Sequence, residues 1–456
     1  MTIAKTRFEP GTDDWWLHRL LDQRENDRRR MIPLRDHFAG EPPVRSGDSL
    51  QEHSPEQRAW EAFKEASRTN IAQLIVSAPA SRMRVRTVRS STAGDDAADR
   101  IVQGVYDASH LADQLPAVFT DMCVYGAGYL LAGVEGLRRL DPWAVAVEPA
   151  ADRPWEARAA IVLGRDDTAG LEYVDLYREL PDGKIVVRRA VAAAPSPDSW
   201  RQLASWEWAG AAKSVPWATT VPVLRALAPG GRGQFEAHKS SLDRLNTLVF
   251  NRTVIMTMQA FRQRYLSGNL PQYYPKGHPN EGEEIDYNAI FQYGPAAMIR
   301  LPANVELKEL QPTDTTQFTA AIQQELKNVA AVTGTPLYML VPDAVQGSAT
   351  GAAIARETLV AKTRQLATRA GSVIGEGIAA TAAAQGTPVA GRVRIGWEPF
   401  ESTSLAERAQ SASQLAAVLP LKTIWREVFQ FTPEQIEQAE LDLDDQNLLA
   451  NNPINN

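Results

Sequence analysis

The residue types that carry most enzyme chemistry are scattered along this chain of 456 residues. No Walker A loop, no G-x-S-x-G and no G-x-G-x-x-G is present. Gly347-Ser348-Ala349-Thr350-Gly351 superficially suggests a nucleophile turn, but its spacing is wrong and no strand–elbow–helix context supports it. No two histidines have metal-ligand spacing; they are His18, His37, His53, His110, His238 and His278. The sequence therefore predicts no catalytic residue, no metal site and no cofactor, and it favours a protein that is not an enzyme.

Charged clusters are the remaining chemical candidates. The segment Arg82-Met83-Arg84-Val85-Arg86 alternates basic and apolar residues, which is the period-two pattern of a half-buried strand. Its three arginines either bind an anion or pair with carboxylates of the same or a neighbouring subunit. A solvated helix face is favoured over a phosphate contact for Arg28-Arg29-Arg30. Asp442, Asp444 and Asp445 also indicate a solvated face, because a metal site there would need further ligands.

Composition is ordinary for a folded protein of two to four domains, with 44% hydrophobic and 23% charged residues. The net charge of −7 means that no global basic field draws the chain onto nucleic acid or an anionic membrane. The lone Cys123 excludes an internal disulfide framework, and its neighbours predict a buried small hydrophobe. The sequence has no run of 18 apolar residues and no signal-peptide h-region. We therefore expect a soluble protein that is made in a cytoplasm and does not bind a membrane.

Three long helices must position any site in the middle of the chain. The first is predicted over residues 235–265, with apolar residues at helical spacing and polar residues on its other faces. The second is predicted over 314–333, with Asp314 as its cap and Gly334 after its end. Short strands and turns separate the two. A third helix should follow a Gly- and Pro-rich loop and end before Gly386.

The flanking regions have a different character. Residues 1–234 combine helical patterns, including one over 95–125, with a β-rich section in which Pro181-Asp182-Gly183-Lys184 is a hairpin turn. Residues 392–397 form one more predicted strand, and the chain beyond Pro399 becomes helical. The pattern therefore predicts an α+β fold class.

This order of elements resembles the portal proteins of tailed bacteriophages over about residues 50–430. Each piece is short, and the specificity of the resemblance lies in the order and spacing of the pieces. They are Tyr125-Gly126-Ala127-Gly128-Tyr129-Leu130; Val221-Pro222-Val223-Leu224; Gly233; Ser240-Ser241-Leu242-Asp243-Arg244-Leu245-Asn246; Tyr265-Leu266-Ser267-Gly268; Ala331-Val332-Thr333-Gly334-Thr335-Pro336-Leu337; and Ser348-Ala349-Thr350-Gly351-Ala352-Ala353.

The resemblance implies a portal-like fold with an α/β wing, two long stem helices, a small α/β clip, a long kinked wing helix and a helical C-terminal crown. It assigns the wing to 1–234 and 349–400, the stem helices to 235–265 and 314–333, the clip to 266–313, the tunnel loop to 334–348 and the crown to 401–456.

The function that the resemblance implies is a head–tail connector of the virion. About twelve copies would form a ring at one capsid vertex, and double-stranded DNA would pass non-specifically through its channel during genome packaging and ejection. The implied partners are the terminase large subunit, the head–tail adaptor, and the major capsid and scaffolding proteins. Synthesis would take place in the cytoplasm of a bacterial host.

The same resemblance assigns three sets of site residues. The tunnel loop would present Pro342, Asp343, Gln346, Gly347 and Ser348 to DNA, although a plain surface loop explains Asp343 and Gln346 equally well. The stem would line the channel with polar residues, namely Arg252, Gln259, Gln263, Gln323, Gln324 and Lys327. The clip would dock partners through aromatic residues, namely Tyr273, Tyr274, Tyr287, Phe291 and Tyr293, although pairing between subunits remains an equal alternative.

Two other classes of function remain open at this point. One is a different phage head–tail connector or scaffold ring protein, which the length of the chain disfavours. The other is an uncharacterised hydrolase that uses the α+β region, and a Ser348 variant tested on ester and phosphoester substrates would separate it.

Overall fold

The computed structural model describes residues 8–43, 55–92, 96–193, 206–260, 264–268, 271–286, 305–309, 314–341, 349–401, 405–429, 431 and 433–451. Its helices are α1 (Asp13–Ala39), α2 (Pro55–Ser67), α3 (Ile71–Ala80), α4 (Asp96–Ala108), α5 (Leu111–Tyr125), α6 (Lys239–Ala260), α7 (Thr316–Thr333), α8 (Leu337–Leu340), α9 (Ala349–Ala384), α10 (Leu405–Leu415), α11 (Leu421–Ile424) and α12 (Pro433–Asn451). Its strands are β1 (Val85–Ser90), β2 (Ala127–Gly133), β3 (Gly136–Leu140), β4 (Val145–Pro149), β5 (Ala157–Asp166), β6 (Leu171–Glu179), β7 (Ile185–Ala193), β8 (Glu207–Trp208), β9 (Lys213–Ser214), β10 (Val223–Leu227), β11 (Arg264–Gly268), β12 (Val305–Glu309) and β13 (Val393–Trp397). The mixture of helices and antiparallel sheets confirms the α+β class.

The chain divides into two compact units. Unit 1 comprises Met1–Pro43, Asn70–Leu242 and Leu326–Asn456, and unit 2 comprises Val44–Thr69 and Asp243–Glu325. The boundaries fall inside α6 and α7, so each of these helices contributes residues to both units.

The largest sheet of unit 1 has two buried faces. It runs in the order β4-β5-β6-β7-β8, with β9 pairing to β7, and all of its pairs are antiparallel. Successive residues of β5 alternate between two cores: Ile161 and Leu163 pack with α1, whereas Ala160 and Val162 pack with the opposite cluster. This is the period-two alternation expected of a strand.

Helix α1 covers one face of that sheet. It begins after Thr12, whose Oγ1 accepts the Trp15 N–H at 3.3 Å, and it buries Leu17 and Leu20. At its first turn Asp13 accepts hydrogen bonds from arginines of β6 and β7, Arg178 at 2.6 Å and Arg188 at 2.8 Å. Apolar burial and this bridging carboxylate together fix the helix on the sheet.

The main core of unit 1 forms around the C-terminal half of α9. Leu366, Ile374 and Ile378 are buried there among residues of α3, α5, β2 and β10. Strand β13 then pairs antiparallel with β1, with Val88 opposite Ile395. The N-terminal and C-terminal parts of the chain therefore share one core.

Unit 2 has a smaller core on α2 and α6. Trp60 stacks on Phe250 with ring centroids 5.3 Å apart, and Asn246 Oδ1 accepts both the N–H and the hydroxyl of Thr69, at 3.0 and 2.9 Å. A two-stranded antiparallel ribbon, β11 with β12, belongs to the same unit.

Three element boundaries differ from prediction. The first long helix does not reach Tyr265, because Arg264–Gly268 forms strand β11 and pairs with a strand some forty residues later. The predicted strand at 82–86 begins only at Val85, since residues 81 and 82 form a turn. The helix predicted over 95–125 is two helices, separated where His110 adopts φ 48°.

Candidate functional site

The residues predicted to carry function lie on the continuous segment from α6 to α9. Its described order is helix, two-stranded ribbon, helix, short helix and a 36-residue helix. At 1.5 Å per residue, the 22 residues of α6 span about 33 Å and the 36 residues of α9 about 54 Å.

The polar stem residues on α7 are accessible. Gln323, Gln324 and Lys327 are exposed, whereas Ile322 and Val329 are buried on the opposite face. Helix α7 therefore has one packed face and one polar, solvent-facing surface, the arrangement that a channel-facing helix needs.

The polar stem residues on α6 are less accessible. Arg252 and Gln259 are half-buried, and the Arg252 Nε is buried without a hydrogen-bond partner among the described residues. Gln263 lies outside the described residues. Within unit 2, Arg244 Nη2 of α6 lies 3.2 Å from Glu325 Oε2 of α7, so an ion pair links the two helices.

Two of the five clip aromatics can be described. Tyr273 is 58% exposed and forms an isolated antiparallel bridge with Glu284. The ring of Tyr274 stacks on His278 at 4.3 Å between centroids, and its backbone exchanges hydrogen bonds with residues 282 and 283. Tyr287, Phe291 and Tyr293 lie outside the described residues. Of the two predicted clip aromatics that the structure describes, Tyr273 is the one whose side chain is exposed to a partner.

The predicted tunnel-loop residues Pro342, Asp343, Gln346, Gly347 and Ser348 also lie outside the described residues. The structure does show what holds the chain just before them.

Helix α7 ends at Gly334 with φ 64°, and the Thr335 N–H returns to the Ala330 carbonyl at 3.0 Å. Lys362 of α9 then donates from Nζ to the Thr333 carbonyl at 2.7 Å. Burial lowers the pKa of Lys362, and its amine satisfies a carbonyl at the C-terminal end of α7.

A glycine-packed junction fixes the start of α6. A Cβ on Gly233 would lie 2.0 Å from the Val124 carbonyl oxygen, and a Cβ on Gly126 would lie 2.4 Å from the Gly231 carbonyl oxygen. A Cβ on Gly128 would lie 2.5 Å from the Val118 carbonyl oxygen. No other residue fits such backbone-to-backbone contacts. These glycines occur in the motifs that carry the family resemblance, and close packing is their physical role.

An ion pair completes this junction. Glu236, just before α6, accepts two hydrogen bonds from Arg30 Nη1 at 2.8 and 2.9 Å and one from the Gly233 N–H at 2.9 Å. Arg30 Nη2 donates to the Tyr125 carbonyl at 2.8 Å. One arginine of α1 therefore ties the end of α5 to the start of α6. The predicted solvated helix face is wrong for Arg30, because its guanidinium pairs with the Glu236 carboxylate, 206 positions away in the sequence.

Two buried titratable groups lie on α5. Cys123 is buried, as predicted, and burial raises the pKa of its thiol to about 12. Burial also raises the pKa of Asp121 to about 7, although Arg139 lies 2.7 Å away and lowers it. The cost of desolvating the carboxylate exceeds the attraction of its partner.

The described residues contain neither a metal-binding cluster nor a membrane-spanning helix. Within the described ranges, histidine, cysteine, aspartate and glutamate form no group of three that could hold a metal ion. Among the described helices, none has the length and apolar character needed to cross a membrane.

Comparison with known proteins gives structural neighbours only. No family model and no curated protein matches the chain. The structure titled "Neck of native GTA particle computed with C12 symmetry" is similar at a TM-score of 0.47 and 16% identity, covering 87% of this chain and 92% of that one. The structure titled "Neck of empty GTA particle computed with C6 symmetry" is similar at a TM-score of 0.43 and 15% identity, with the same coverage. At these values neither likeness defines the fold or the function of this chain.

Proposed function

We propose that this protein is a phage portal, a head–tail connector ring of about twelve copies whose stem helices line a channel for double-stranded DNA. The observation that carries the proposal is the element order from α6 to β13. A helix leads into a small ribbon unit, a second helix returns from it, and a long helix and a strand close onto the N-terminal part. The proposal includes no catalytic activity.

The surfaces of the segment suit such a ring. The polar side of α7, with Gln323, Gln324 and Lys327, faces solvent in the single chain and would face the channel. One lysine among neutral side chains would let DNA slide, because each neutralised phosphate adds counterion-release affinity and a strongly basic lining would retain the duplex. The exposed Tyr273 of the clip would dock the terminase large subunit or the head–tail adaptor.

Electron microscopy of the purified protein tests the ring. We expect annular particles with a central hole and about twelve-fold symmetry. A monodisperse monomer at micromolar concentration would refute the proposal. A closed assembly without a central hole would support self-association but exclude a channel for DNA.

Cysteine labelling tests which helix face lines the hole. Because Cys123 is fully buried, Gln323→Cys places one reactive thiol on α7. In assembled rings this thiol should react with a small maleimide and resist a maleimide on a bulky polymer. The control Asp152→Cys, at a side chain that is 79% exposed, should react with both reagents. Equal reactivity of the two variants toward the bulky reagent would place Gln323 outside the channel.

A further inference from the structure

A cavity of about 810 Å³ lies in unit 1 beside the glycine-packed junction. Helix α1, strands β2 and β10, the loop after β10, the start of α6 and the middle of α9 form its walls. Its volume falls in the range of protein sites that bind ligands or inserted side chains. None of the site residues predicted from the sequence lies in it.

The lining of this cavity is positive although the chain is acidic. Five cationic residues, Arg30, Arg225, Arg232, Lys239 and Arg369, face two carboxylates, Asp27 and Glu236. The chain as a whole carries a net charge of −7. The cavity therefore concentrates positive potential that attracts an acidic ligand.

Three of these cations have no internal partner. The junction uses Arg30 to bind Glu236, and Arg225 donates to the Pro154 carbonyl at 3.4 Å. The side chains of Arg232, Lys239 and Arg369 make no hydrogen bond or ion pair with any residue that the structure describes. Lys239 is half-buried, and the other two are exposed. These three side chains are available to carboxylates from outside the unit.

The lining of the cavity also has an apolar part. Met31, Tyr125, Tyr129, Pro142 and Leu227 contribute to it. A ligand that matches both features carries several carboxylates together with apolar side chains.

The C-terminal helix α12 has this composition. Its 19 residues include six carboxylates, and no lysine or arginine. Leu441 and Leu443 are 56% and 39% exposed and alternate with the exposed Asp442 and Asp444. The helix therefore presents apolar side chains beside its carboxylates.

The α12 helix of the same chain does not occupy the cavity. Lys422 of α11 forms an ion pair with Glu440 of α12, and no residue of α12 lines the cavity. The side chains of Asp444 and the next residue, Asp445, make no hydrogen bond or ion pair with a described residue. Every copy of this chain contains α12, so a second copy can supply this helix to the cavity.

We propose that the cavity receives the acidic stretch 440–445 of α12 from a second copy of this chain. Carboxylates of the stretch would pair with Arg232, Lys239 and Arg369. Leu441, which shares a helix face with Asp444 and Asp445, would contact the apolar part of the lining. The inference deepens the proposed ring, on whose self-association it rests, but it does not depend on DNA passing through the ring.

Cross-linking between two variants tests the contact. Arg232→Cys and Asp444→Cys are made in separate full-length chains, co-assembled and treated with a short bismaleimide; the buried Cys123 does not react. We expect a covalent dimer in the mixture and none from either variant alone. Asp152→Cys mixed with Asp444→Cys is the matched control and should give no dimer.

The outcomes separate this inference from the ring itself. If electron microscopy shows rings but the cross-linked dimer does not form, the inference is wrong and the proposed function is unaffected. Monomers without the cross-link overturn both. If one chain carrying both cysteines links only to itself, the segment belongs to its own chain and the inference fails.

A charge exchange supplies an independent measurement. Arg232→Glu with Lys239→Glu should weaken self-association about 10-fold, given the modest strength of exposed ion pairs, and Asp444→Lys with Asp445→Lys should restore it. The loss of self-association in the double glutamate variant should become smaller as salt rises from 0.05 to 0.5 M. Salt screens exposed charges, with a Debye length of about 10 Å at 0.1 M. If the double glutamate variant instead loses binding to double-stranded DNA and assembles normally, the cavity is a phosphate site and the inference is wrong.

Discussion

The substitution Gly233→Ala tests the glycine-packed junction by shape alone. The new Cβ would lie 2.0 Å from the Val124 carbonyl oxygen and 2.8 Å from its carbonyl carbon. The backbone φ of Gly233 is not in the left-handed region, so the added methyl brings a clash without a conformational penalty. Because the opposing atoms are backbone of α5, no side-chain rotation can relieve the contact.

Relief of this clash requires the chain around residue 233 to move away from α5. That movement lengthens the 2.7 Å hydrogen bond from the Gln234 N–H to the Cys123 carbonyl and disturbs the Gly233 N–H to Glu236 contact. Overpacking costs about 1–3 kcal/mol, and a lost hydrogen bond adds about 0.5–1.5 kcal/mol. We therefore expect the free energy of unfolding of unit 1 to fall by about 2–4 kcal/mol.

Urea unfolding followed by tryptophan fluorescence measures this change at one fixed protein concentration. The matched control is Gly104→Ala inside α4, where a Cβ meets nothing within 4 Å. That substitution should stabilise unit 1 by about 0.5–1 kcal/mol, since alanine is the better helix former. If Gly233→Ala left the free energy of unfolding within about 0.5 kcal/mol of the parent, the close approach would not exist and the reasoning would fail.

Three further expectations concern unit 1. The folded-state pKa of Asp121, about 7, exceeds the unfolded value of about 3.9, so the carboxyl contributes stability below pH 4 that is lost as pH rises to 7. The stability of the parent relative to Asp121→Asn should therefore fall between about pH 4 and pH 7 and change little above that range. A flat difference in urea titrations would contradict this expectation. Asp13→Ala should cost about 2 kcal/mol by removing the bridge from α1 to the sheet; hydrogen exchange in α1 should rise, whereas the exposed Asp22→Ala should leave it unchanged. Gly386→Ala, at φ 80° with open space around it, should cost about 1 kcal/mol through backbone strain alone, and no loss in thermal unfolding would count against that account.

Local signals predicted the start of α7 and the ends of α7 and α9 correctly. Asp314 accepts the Thr316 N–H at 2.8 Å before α7, and the glycines that follow α7 and α9 adopt φ 64° and 80°. The hairpin turn before Lys184 is also present, with the Leu180 N–H bound to the Lys184 carbonyl at 2.8 Å. Each of these features depends on a few neighbouring residues, so the sequence alone contains the information.

Contacts between distant residues were not predictable from the sequence. The chain from Arg264 leaves the helix because it pairs with β12, and nothing within a helical window indicates that partner. Arg30 was assigned to solvent because its carboxylate, Glu236, lies far along the chain. The motif glycines can be recognised in the sequence, but the sequence does not indicate which carbonyl groups they approach in the fold. The division into two wing segments, two stem helices, a clip, a tunnel loop and a crown stays a prediction.

The anchoring of α6 and α7 bears on how a channel could vary without loss of the fold. The start of α6 is held in the core of unit 1 by Leu242 and the junction at Gly233, and the end of α7 is held there by Val329 and by Lys362. None of these contacts involves the polar residues on the exposed side of α7. In the proposed ring, substitutions on that side should change the channel lining at little cost in stability, because exposed positions rarely shift stability by more than about 0.5 kcal/mol. Substitutions at the anchors should disturb stability and ring assembly together.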